Sequence, residues 1–161
     1  MQTLISEEQL QAKIKELREE LKKNNYDYAI CVLNGAYLFF AELTKELDVE
    51  IDFIKASSYR NTHSTGELNI IMADFAKFKD KNVLLVDDVC DTGLTLHILK
   101  NKLLQYGCKN VDICVLLDKK SAHEDIYEPN YYAFDIGNEF VIGFGLDYNG
   151  KYRTLPYIAV L

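Results

Sequence analysis

Several features that would assign this chain to a large class of proteins are missing from it. None of its apolar runs approaches the ~20 residues of a membrane-spanning helix, and no secretory signal opens the sequence. The four cysteines form no C-x-x-C pair and have no zinc-like spacing. The 18 basic residues are outnumbered by 25 acidic ones, and the net charge of −7 argues against a duplex nucleic-acid partner. We therefore expect a cytoplasmic protein that binds neither nucleic acid nor membrane.

The length and the amino-acid composition of the chain are typical of one globular domain. The chain has 161 residues, of which 48% are hydrophobic and 12% aromatic. A chain of this length buries roughly two-thirds of its unfolded surface on folding. We predict a single domain over residues 1–161.

The most informative stretch of the sequence is residues 83–96. Its first four residues are apolar and predict a strand buried on both faces. Asp87 and Asp88 follow, and then a turn at 91–95 that is rich in Thr and Gly leads into a predicted helix over 96–106. Such a turn offers N–H and hydroxyl donors to a phosphate group. The two carboxylates suit sugar hydroxyls or a divalent cation, so the stretch indicates a phosphorylated sugar.

Two other classes of protein also carry an apolar strand that ends in two Asp residues. P-loop ATPases need a partner G-x-x-x-x-G-K-[ST] loop, which this sequence lacks. Receiver domains carry their acidic pair near the end of the first strand, whereas Asp87 and Asp88 lie in the middle of the chain. Both alternatives are disfavoured.

The positions of the apolar runs predict an α/β fold. Three runs predict buried strands, at 29–33, 83–87 and 111–117. Helices between them predict a doubly wound, mostly parallel sheet with flanking helices. Ligands of such sheets bind at the carboxyl ends of the strands. Asn34, the 87–95 segment and residues 118–120 all fall there.

The remaining segments predict the surroundings of the sheet. Ser6 and Gln9 form a capping box at the start of an amphipathic helix, and a second helix is predicted over 37–47. Val49, Ile51 and Phe53 alternate with polar residues, which indicates a half-exposed strand over 49–56. Residues 57–68 lie between two predicted strands and are mostly polar, small or turn-forming, so on the residues alone they form either a dispensable loop or a mobile lid hairpin, with His63 facing solvent. Residues 124–161, rich in aromatics, predict a small C-terminal hood.

The Asp87–Thr95 segment resembles the phosphoribosyl pyrophosphate signature of type I phosphoribosyltransferases, in the form of the hypoxanthine-guanine branch. Other stretches resemble this family in the same order along the chain. These are the turn at 34–35, the lid residues 58–59 and 64–66, Lys119, the hood segment 140–148 and Arg153.

The resemblance implies roles for individual residues. Asp91 would be the general base and Lys119 would donate to the 6-oxo group of a purine. The peptide bond between Leu33 and Asn34 corresponds to one that can be cis, and Asn34 stands where relatives often carry Lys or Arg. His123 stands where some relatives carry an Arg that contacts pyrophosphate.

The activity that the resemblance implies is purine salvage. A 5-phosphoribosyl group would pass from phosphoribosyl pyrophosphate to a 6-oxopurine, with Mg²⁺ held by Asp87, Asp88 and Asp147. A regulator that senses phosphoribosyl pyrophosphate without catalysis is the alternative, and a homodimer or homotetramer is expected. The implied substrate-binding residues are Leu33, Asn34, Gly35, Ser58, Tyr59, Asp87, Asp88, Val89, Cys90, Asp91, Thr92, Gly93, Leu94, Thr95, Lys119, Phe140, Val141, Leu146, Asp147 and Arg153.

Overall fold

The computed structural model describes residues 1–58, 68–71 and 74–161. Tyr59, His63 and most of the predicted lid at 57–68 lie outside these residues, as does the side chain of Ser58. None of the helices in the described ranges is both long and apolar enough to cross a bilayer.

A six-stranded, mostly parallel sheet forms the centre of the molecule, as predicted. Its strand order is β4-β3-β2-β5-β6-β7, and only the β3–β4 pair is antiparallel. Its strands are β2 (Tyr28–Leu33), β3 (Glu50–Ser58), β4 (Leu68–Ile71), β5 (Asn82–Cys90), β6 (Asn110–Asp118) and β7 (Tyr131–Asp135). The flanking helices are α1 (Glu7–Leu21), α2 (Tyr37–Leu43) and α3 (Leu94–Gln105).

The central strands are buried on both faces because helices cover each side. Alternate residues of a strand point to opposite faces, so Leu84 and Val86 of β5 pack with the α1 and α2 side chains. Val83 and Leu85 pack with α3 on the other face. This division into two cores is what the unbroken apolar run at 83–86 predicted, and it confirms the doubly wound arrangement.

The two N-terminal helices differ in how well they were predicted. Both hydrogen bonds of the Ser6–Gln9 capping box are present at the start of α1. The second helix ends at Leu43, four residues before the predicted end at residue 47. There the Thr44 hydroxyl donates to the Phe40 carbonyl at 2.8 Å, and Glu46 has a left-handed φ of +63° that an α-helix cannot include.

The strand β3 is half exposed, as predicted, and its buried face is the one that carries Ile54. Ile54 is fully buried, whereas Ile51 and Phe53 are 45% and 50% exposed. Alternation shows that the two faces of a strand differ, but not which face the neighbouring elements cover. Ile54 packs in the core that contains α3, so packing against that core determines which face of β3 is buried.

The hood is smaller than the predicted 124–161 segment. Tyr131–Asp135 forms β7, which pairs in parallel with β6 at the edge of the central sheet. The hood contains instead a three-stranded antiparallel sheet in the order β1-β9-β8. Its strands are β1 (Gln2–Ile5), β8 (Val141–Ile142) and β9 (Ile158–Val160). The sequence did not predict β1, because its four residues pair with a segment at the opposite end of the chain.

Candidate active site

The carboxyl ends of β2, β3, β5 and β6 and the hood surround the candidate site, a cavity of about 480 Å³. Twelve of the predicted substrate-binding residues line it, together with three that were not predicted. The predicted ones are Leu33, Asn34, Gly35, Asp88, Val89, Asp91, Lys119, Phe140, Val141, Leu146, Asp147 and Arg153, and the additional ones are Lys55, Ala56 and Ser57.

The turn after β2 lies between the acidic strand and the hood. The Leu33–Asn34 peptide bond is cis, in agreement with the expectation from the resemblance. A side chain at Gly35 would place its Cβ 1.9 Å from Asp88 Oδ2. On the opposite side, a Cβ at Gly145 would lie 2.2 Å from the Gly35 carbonyl oxygen. Gly145 is therefore required by the close approach of the Gly35 backbone, whereas Gly35 leaves room for the Asp88 carboxylate.

The strand β5 continues to Cys90, so Asp87 and Asp88 lie within it and not beyond its end. Successive strand residues point to opposite faces. Accordingly, Asp88 lines the large cavity and Asp87 lines a smaller one of about 130 Å³. The Asp88 N–H donates to Asp87 Oδ1 at 2.8 Å. Burial, together with the neighbouring Asp88 carboxylate, raises the pKa of Asp87 well above its usual value.

The smaller cavity is formed by the turn between β5 and α3. Gly93 caps α3 with a φ of +82°, and a Cβ there would lie 2.5 Å from Tyr127 Cβ. The first N–H groups of a helix lack intrahelical partners and attract anions. The residues around this cavity are Asp87, Val89, Cys90, Asp91, Thr92, Gly93, Thr95 and Leu96.

Asp91 and Lys119 form an ion pair across the mouth of the large cavity. Asp91 Oδ2 lies 3.8 Å from Lys119 Nζ, with the carboxylate mostly exposed and the lysine mostly buried. The Lys119 N–H donates to the Cys90 carbonyl at 2.9 Å, which fixes the backbone of the lysine to the end of β5. An acid and a cation thus face the same volume from neighbouring strands.

Aromatic and charged residues of the hood close the cavity from the other side. Phe140 is 55% exposed, and its ring meets the edge of the Tyr148 ring at a centroid distance of 5.8 Å. Arg153 Nη1 donates to the Gly145 carbonyl at 2.6 Å, while Nη2 lies 3.4 Å from Asp147 Oδ1. Asp147 Oδ2 also accepts from the Gly150 N–H at 2.9 Å. The arginine and the acid are therefore held in place before any ligand binds.

Two residues named in the sequence analysis lie outside both cavities. Leu94 lines neither cavity, because it begins α3 with a partly exposed side chain. His123 does not line either cavity and pairs instead with the buried Asp118, Nε2 to Oδ1 at 2.6 Å. The pairing with buried Asp118 holds the His123 side chain away from the open space.

The residues that were missed lie at the end of β3. Lys55, Ala56 and Ser57 reach the same sheet edge as the other strand ends. The rule that ligands bind at the carboxyl ends of parallel strands would have included them, had the strand predicted over 49–56 been counted among the parallel strands of the sheet.

The arrangement combines groups that recognise three different chemical features. The turn at 91–95 offers donors to a phosphate, and the carboxylates of Asp87 and Asp88 suit hydroxyls or a cation. Lys119 and Phe140 flank a space that suits a flat, polar-edged ring, because an aromatic face stacks on a ring and an ammonium donates to its oxygens.

Comparison with known proteins agrees with this chemistry. The family model described as "Phosphoribosyl transferase domain" matches residues 2–149. The chain is 41% identical to the hypoxanthine-guanine phosphoribosyltransferase of Bacillus subtilis, over 98% of this chain and 91% of that protein. It is 43% identical to the protein of the same name from Lactococcus lactis, over 98% and 89% of the two chains.

Solved structures are similar over the whole length of the chain. A crystal structure of a hypoxanthine-guanine phosphoribosyltransferase from Bacillus anthracis has a TM-score of 0.92 and 40% identity, covering 100% of this chain and 98% of the other. A hypoxanthine phosphoribosyltransferase from Staphylococcus aureus has a TM-score of 0.92 at 36% identity, covering 100% and 91% of the two chains.

Proposed function

This chain belongs to the phosphoribosyl transferase family, and from that premise we propose that it is a hypoxanthine-guanine phosphoribosyltransferase of purine salvage. The reaction transfers the 5-phosphoribosyl group of phosphoribosyl pyrophosphate to N9 of a 6-oxopurine and releases pyrophosphate. The single observation that carries the proposal is that Asp88, Asp91, Lys119, Phe140 and Arg153 line one cavity.

The sugar phosphate is assigned to the β5–α3 turn. Thr92, Gly93 and Thr95 surround the smaller cavity at the start of α3, where N–H groups and hydroxyls would hold the 5′-phosphate. Asp87 and Asp88 would accept hydrogen bonds from the ribose hydroxyls. The lid residues Ser58 and Tyr59 are proposed to close over the sugar and exclude water.

The purine is assigned to the space between Lys119 and the hood. Phe140 would stack on the base, and the Lys119 ammonium would donate to its 6-oxo group. Backbone groups of Val141 and Leu146 would meet the polar edge of the ring. A 6-aminopurine should bind poorly, because the lysine would then face another donor.

Magnesium is part of the proposal, with Asp87, Asp88 and Asp147 as its ligands. The residues fit such an ion, since carboxylate oxygens are the donors that Mg²⁺ prefers and two of the three line the large cavity. When bound, Mg²⁺ neutralises charge on the departing pyrophosphate. Arg153, held at Gly145 and Asp147, contributes a positive charge to the same cavity.

The chemistry follows from the charges around the sugar. Departure of pyrophosphate leaves positive charge on the ribose ring, and the nearby Asp87 and Asp88 carboxylates favour it electrostatically. Asp91, at the cavity mouth, accepts the N7 proton of the purine as N9 forms the new bond. A positioned base of this kind contributes about 10²- to 10⁴-fold in rate.

Cellular location and assembly also belong to the proposal. Cytoplasmic location is supported by the four cysteines, which are all free thiols. A homodimer or homotetramer is supported by the exposed Ile51 and Phe53 on β3, which a second copy would cover.

Incubation with phosphoribosyl pyrophosphate, Mg²⁺ and each purine in turn tests the function. We expect nucleotide from hypoxanthine and guanine and little from adenine. Competition among hypoxanthine, guanine and xanthine then ranks the bases. Binding of phosphoribosyl pyrophosphate with no nucleotide from any base would contradict the proposal and support the sensing alternative.

A further inference from the structure

Behind the turn that carries Lys119, three side chains with metal-binding atoms meet in the protein interior. Cys90 is the last residue of β5 and Asp118 the last residue of β6, and the two are paired in register. His123 follows the short 3₁₀ helix Lys120–Ala122. One ligand atom from each residue lies within 4.8 Å of the others.

The carboxylate of Asp118 is not fully satisfied. Asp118 has no exposed surface, yet its Oδ2 has no hydrogen-bond partner among the residues that the structure describes. A buried carboxylate oxygen without a partner is costly, and such atoms are rare in native proteins. A cation held between Asp118 and its neighbours would supply a partner for this atom.

The histidine is oriented as a metal ligand requires. Its Nδ1 lies 3.0 Å from the Glu124 carbonyl oxygen, so Nδ1–H donates there and Nε2 faces inward. Histidines that bind metals commonly donate their second ring N–H to a carbonyl in this way. Nε2 lies 2.6 Å from Asp118 Oδ1, so the two atoms share one proton that a metal ion would replace.

We propose that Cys90, Asp118 and His123 form a binding site for a divalent transition-metal ion of the zinc class, separate from the three Mg²⁺ ligands. A thiolate, an imidazole and a carboxylate are typical zinc ligands, whereas Mg²⁺ takes oxygens. Tetrahedral zinc with bonds of about 2.0–2.3 Å needs its ligand atoms about 3.3–3.8 Å apart. The ligand atoms lie within 4.8 Å of one another, with Nε2 and Oδ1 2.6 Å apart, so shifts of about 1 Å would give that spacing.

Access and the fourth coordination position also have candidates in the structure. Cys90 lines the smaller cavity beside the β5–α3 turn, which provides an entry path. The Tyr127 carbonyl oxygen lies 3.8 Å from Cys90 Sγ and offers a fourth ligand. A bound ion would tie the ends of β5 and β6 to the segment after Lys119, and it would displace the Cys90 thiol proton to solvent.

Cobalt is the probe for this site, because a Co²⁺–thiolate bond produces a charge-transfer band that oxygen ligands do not. The whole chain is stripped with a chelator and titrated with Co²⁺ in the presence of excess Mg²⁺, which occupies the oxygen sites. We expect a thiolate band that saturates at one Co²⁺ per chain, that Zn²⁺ abolishes by displacement, and a rise in Tm with added Zn²⁺.

Variants assign the ligands. Cys90→Ala is expected to abolish the band, and His123→Gln to weaken Co²⁺ binding by more than the roughly 10- to 100-fold that a supporting residue outside the coordination shell contributes. Cys108→Ala, which removes another buried thiol, and Asp88→Asn, which alters a proposed Mg²⁺ ligand, are expected to leave the band unchanged. Circular dichroism of each variant confirms that it is folded.

Either of two results would overturn the site. One is the absence of a thiolate band in the unmodified protein under these conditions, which needs no variant to interpret. The other is a band that persists in folded Cys90→Ala and disappears in Cys108→Ala. The proposed transferase activity enters neither result, so failure of one proposal leaves the other standing.

Discussion

At the scale of single residues, Asp91 is the acid whose role depends most directly on position. It lies at the mouth of the cavity, 3.8 Å from Lys119 and mostly exposed. Asp87, in contrast, lies within β5 beside Asp88, and desolvation followed by the Asp88 charge raises its pKa. The neighbouring acids therefore have different tasks.

Asp91→Asn is predicted to lower kcat by about 10²- to 10⁴-fold, because an amide cannot accept the purine proton. Binding of phosphoribosyl pyrophosphate should change little, since the β5–α3 turn remains intact. Steady-state kinetics with both substrates measures the two effects. Asp125→Asn, a nearby exposed acid that lines neither cavity, is the control. Unchanged turnover in Asp91→Asn would remove this residue from the role of base.

Tyr26 provides a second residue-scale prediction, through pH. Its hydroxyl donates to Asp112 Oδ2 at 2.5 Å, and burial, followed by this hydrogen bond, raises its pKa far above 10. The unfolded chain loses the Tyr26 proton near pH 10 whereas the folded chain keeps it, so this contribution to stability is complete below pH ~10 and is lost as pH rises above it.

Tyr26→Phe is therefore predicted to reduce stability by about 1.5–3 kcal/mol at pH 7, with a difference from the wild type that narrows above pH ~10. Urea unfolding at pH 7 and at pH 10.5 measures the difference. Tyr106→Phe, at an exposed tyrosine, should stay within about 0.5 kcal/mol of the wild type at both pH values. A difference for Tyr26→Phe that is the same at both pH values would contradict the argument.

Sequence reasoning was strongest for residues that belong to a dense local pattern. The acids and the Thr-Gly turn at 87–95 lie next to each other in the chain, so their types alone predicted a phosphate and sugar site. The Asp118–His123 pair was not predicted, because a surface role suited both residues until packing buried them. Burial of a polar group depends on the whole fold and leaves no local signal.

At the scale of elements, the contact between the hood and the β2 turn determines the shape of the site. Gly145 has a φ of +102°, and a Cβ added there would lie 2.2 Å from the Gly35 carbonyl oxygen. Gly150 also has a positive φ, of +80°, but no atom lies within 4 Å of its position for a Cβ. Substitutions at these two glycines therefore distinguish the cost of backbone strain alone from the cost of strain together with a steric clash.

Gly150→Ala is predicted to cost only the ~1–2 kcal/mol of a left-handed alanine. Gly145→Ala should cost more than that and should also raise the KM for the purine, because the hood must move away from the β2 turn. Thermal unfolding and purine kinetics of the two variants provide the comparison. Equal stability and equal KM values would show that the contact is not important.

Elements with many apolar residues in a row were predictable, whereas short elements were not. The continuous apolar runs of β2, β5 and β6 are typical of strands that are buried on both faces in the centre of a sheet. The strands β7 and β9 have only five and three residues, and their partners are decided by tertiary contacts. For β3 the alternation predicted a half-exposed strand but did not indicate which face is covered, because coverage comes from α3 and not from the strand itself.

At the scale of the whole molecule, the hood sheet is connected to the rest of the protein in two places, through β1 and through the segment after β7. The strand β1 pairs with β9, and Ile5 at its end is buried in the same core as α1. The helix α1 thus holds the hood from one side while the segment after β7 holds it from the other. The position of Phe140 over the cavity depends on both attachments.

Deletion of residues 1–5 is predicted to lower stability by at least the ~1.5–3 kcal/mol of burying the Ile5 side chain, and to raise the KM for the purine more than that for phosphoribosyl pyrophosphate. The hood contacts the purine, whereas the β5–α3 turn holds the sugar phosphate. Leu4→Ala, at a partly exposed position of the same strand, is the control. A uniform rise in both KM values would contradict this division.

The pairing of Gln2 with Val160 also determines the order in which the protein is completed during translation. The ribosome makes β1 before the six strands of the central sheet and β9 after them, so β1 is synthesised long before its hydrogen-bonding partner exists. The strands from β2 to β7 are all made before then. Pairing over so large a sequence separation is slow to form. A nascent chain that still lacks β9 can therefore form its central sheet before the hood sheet that covers the proposed purine site is complete.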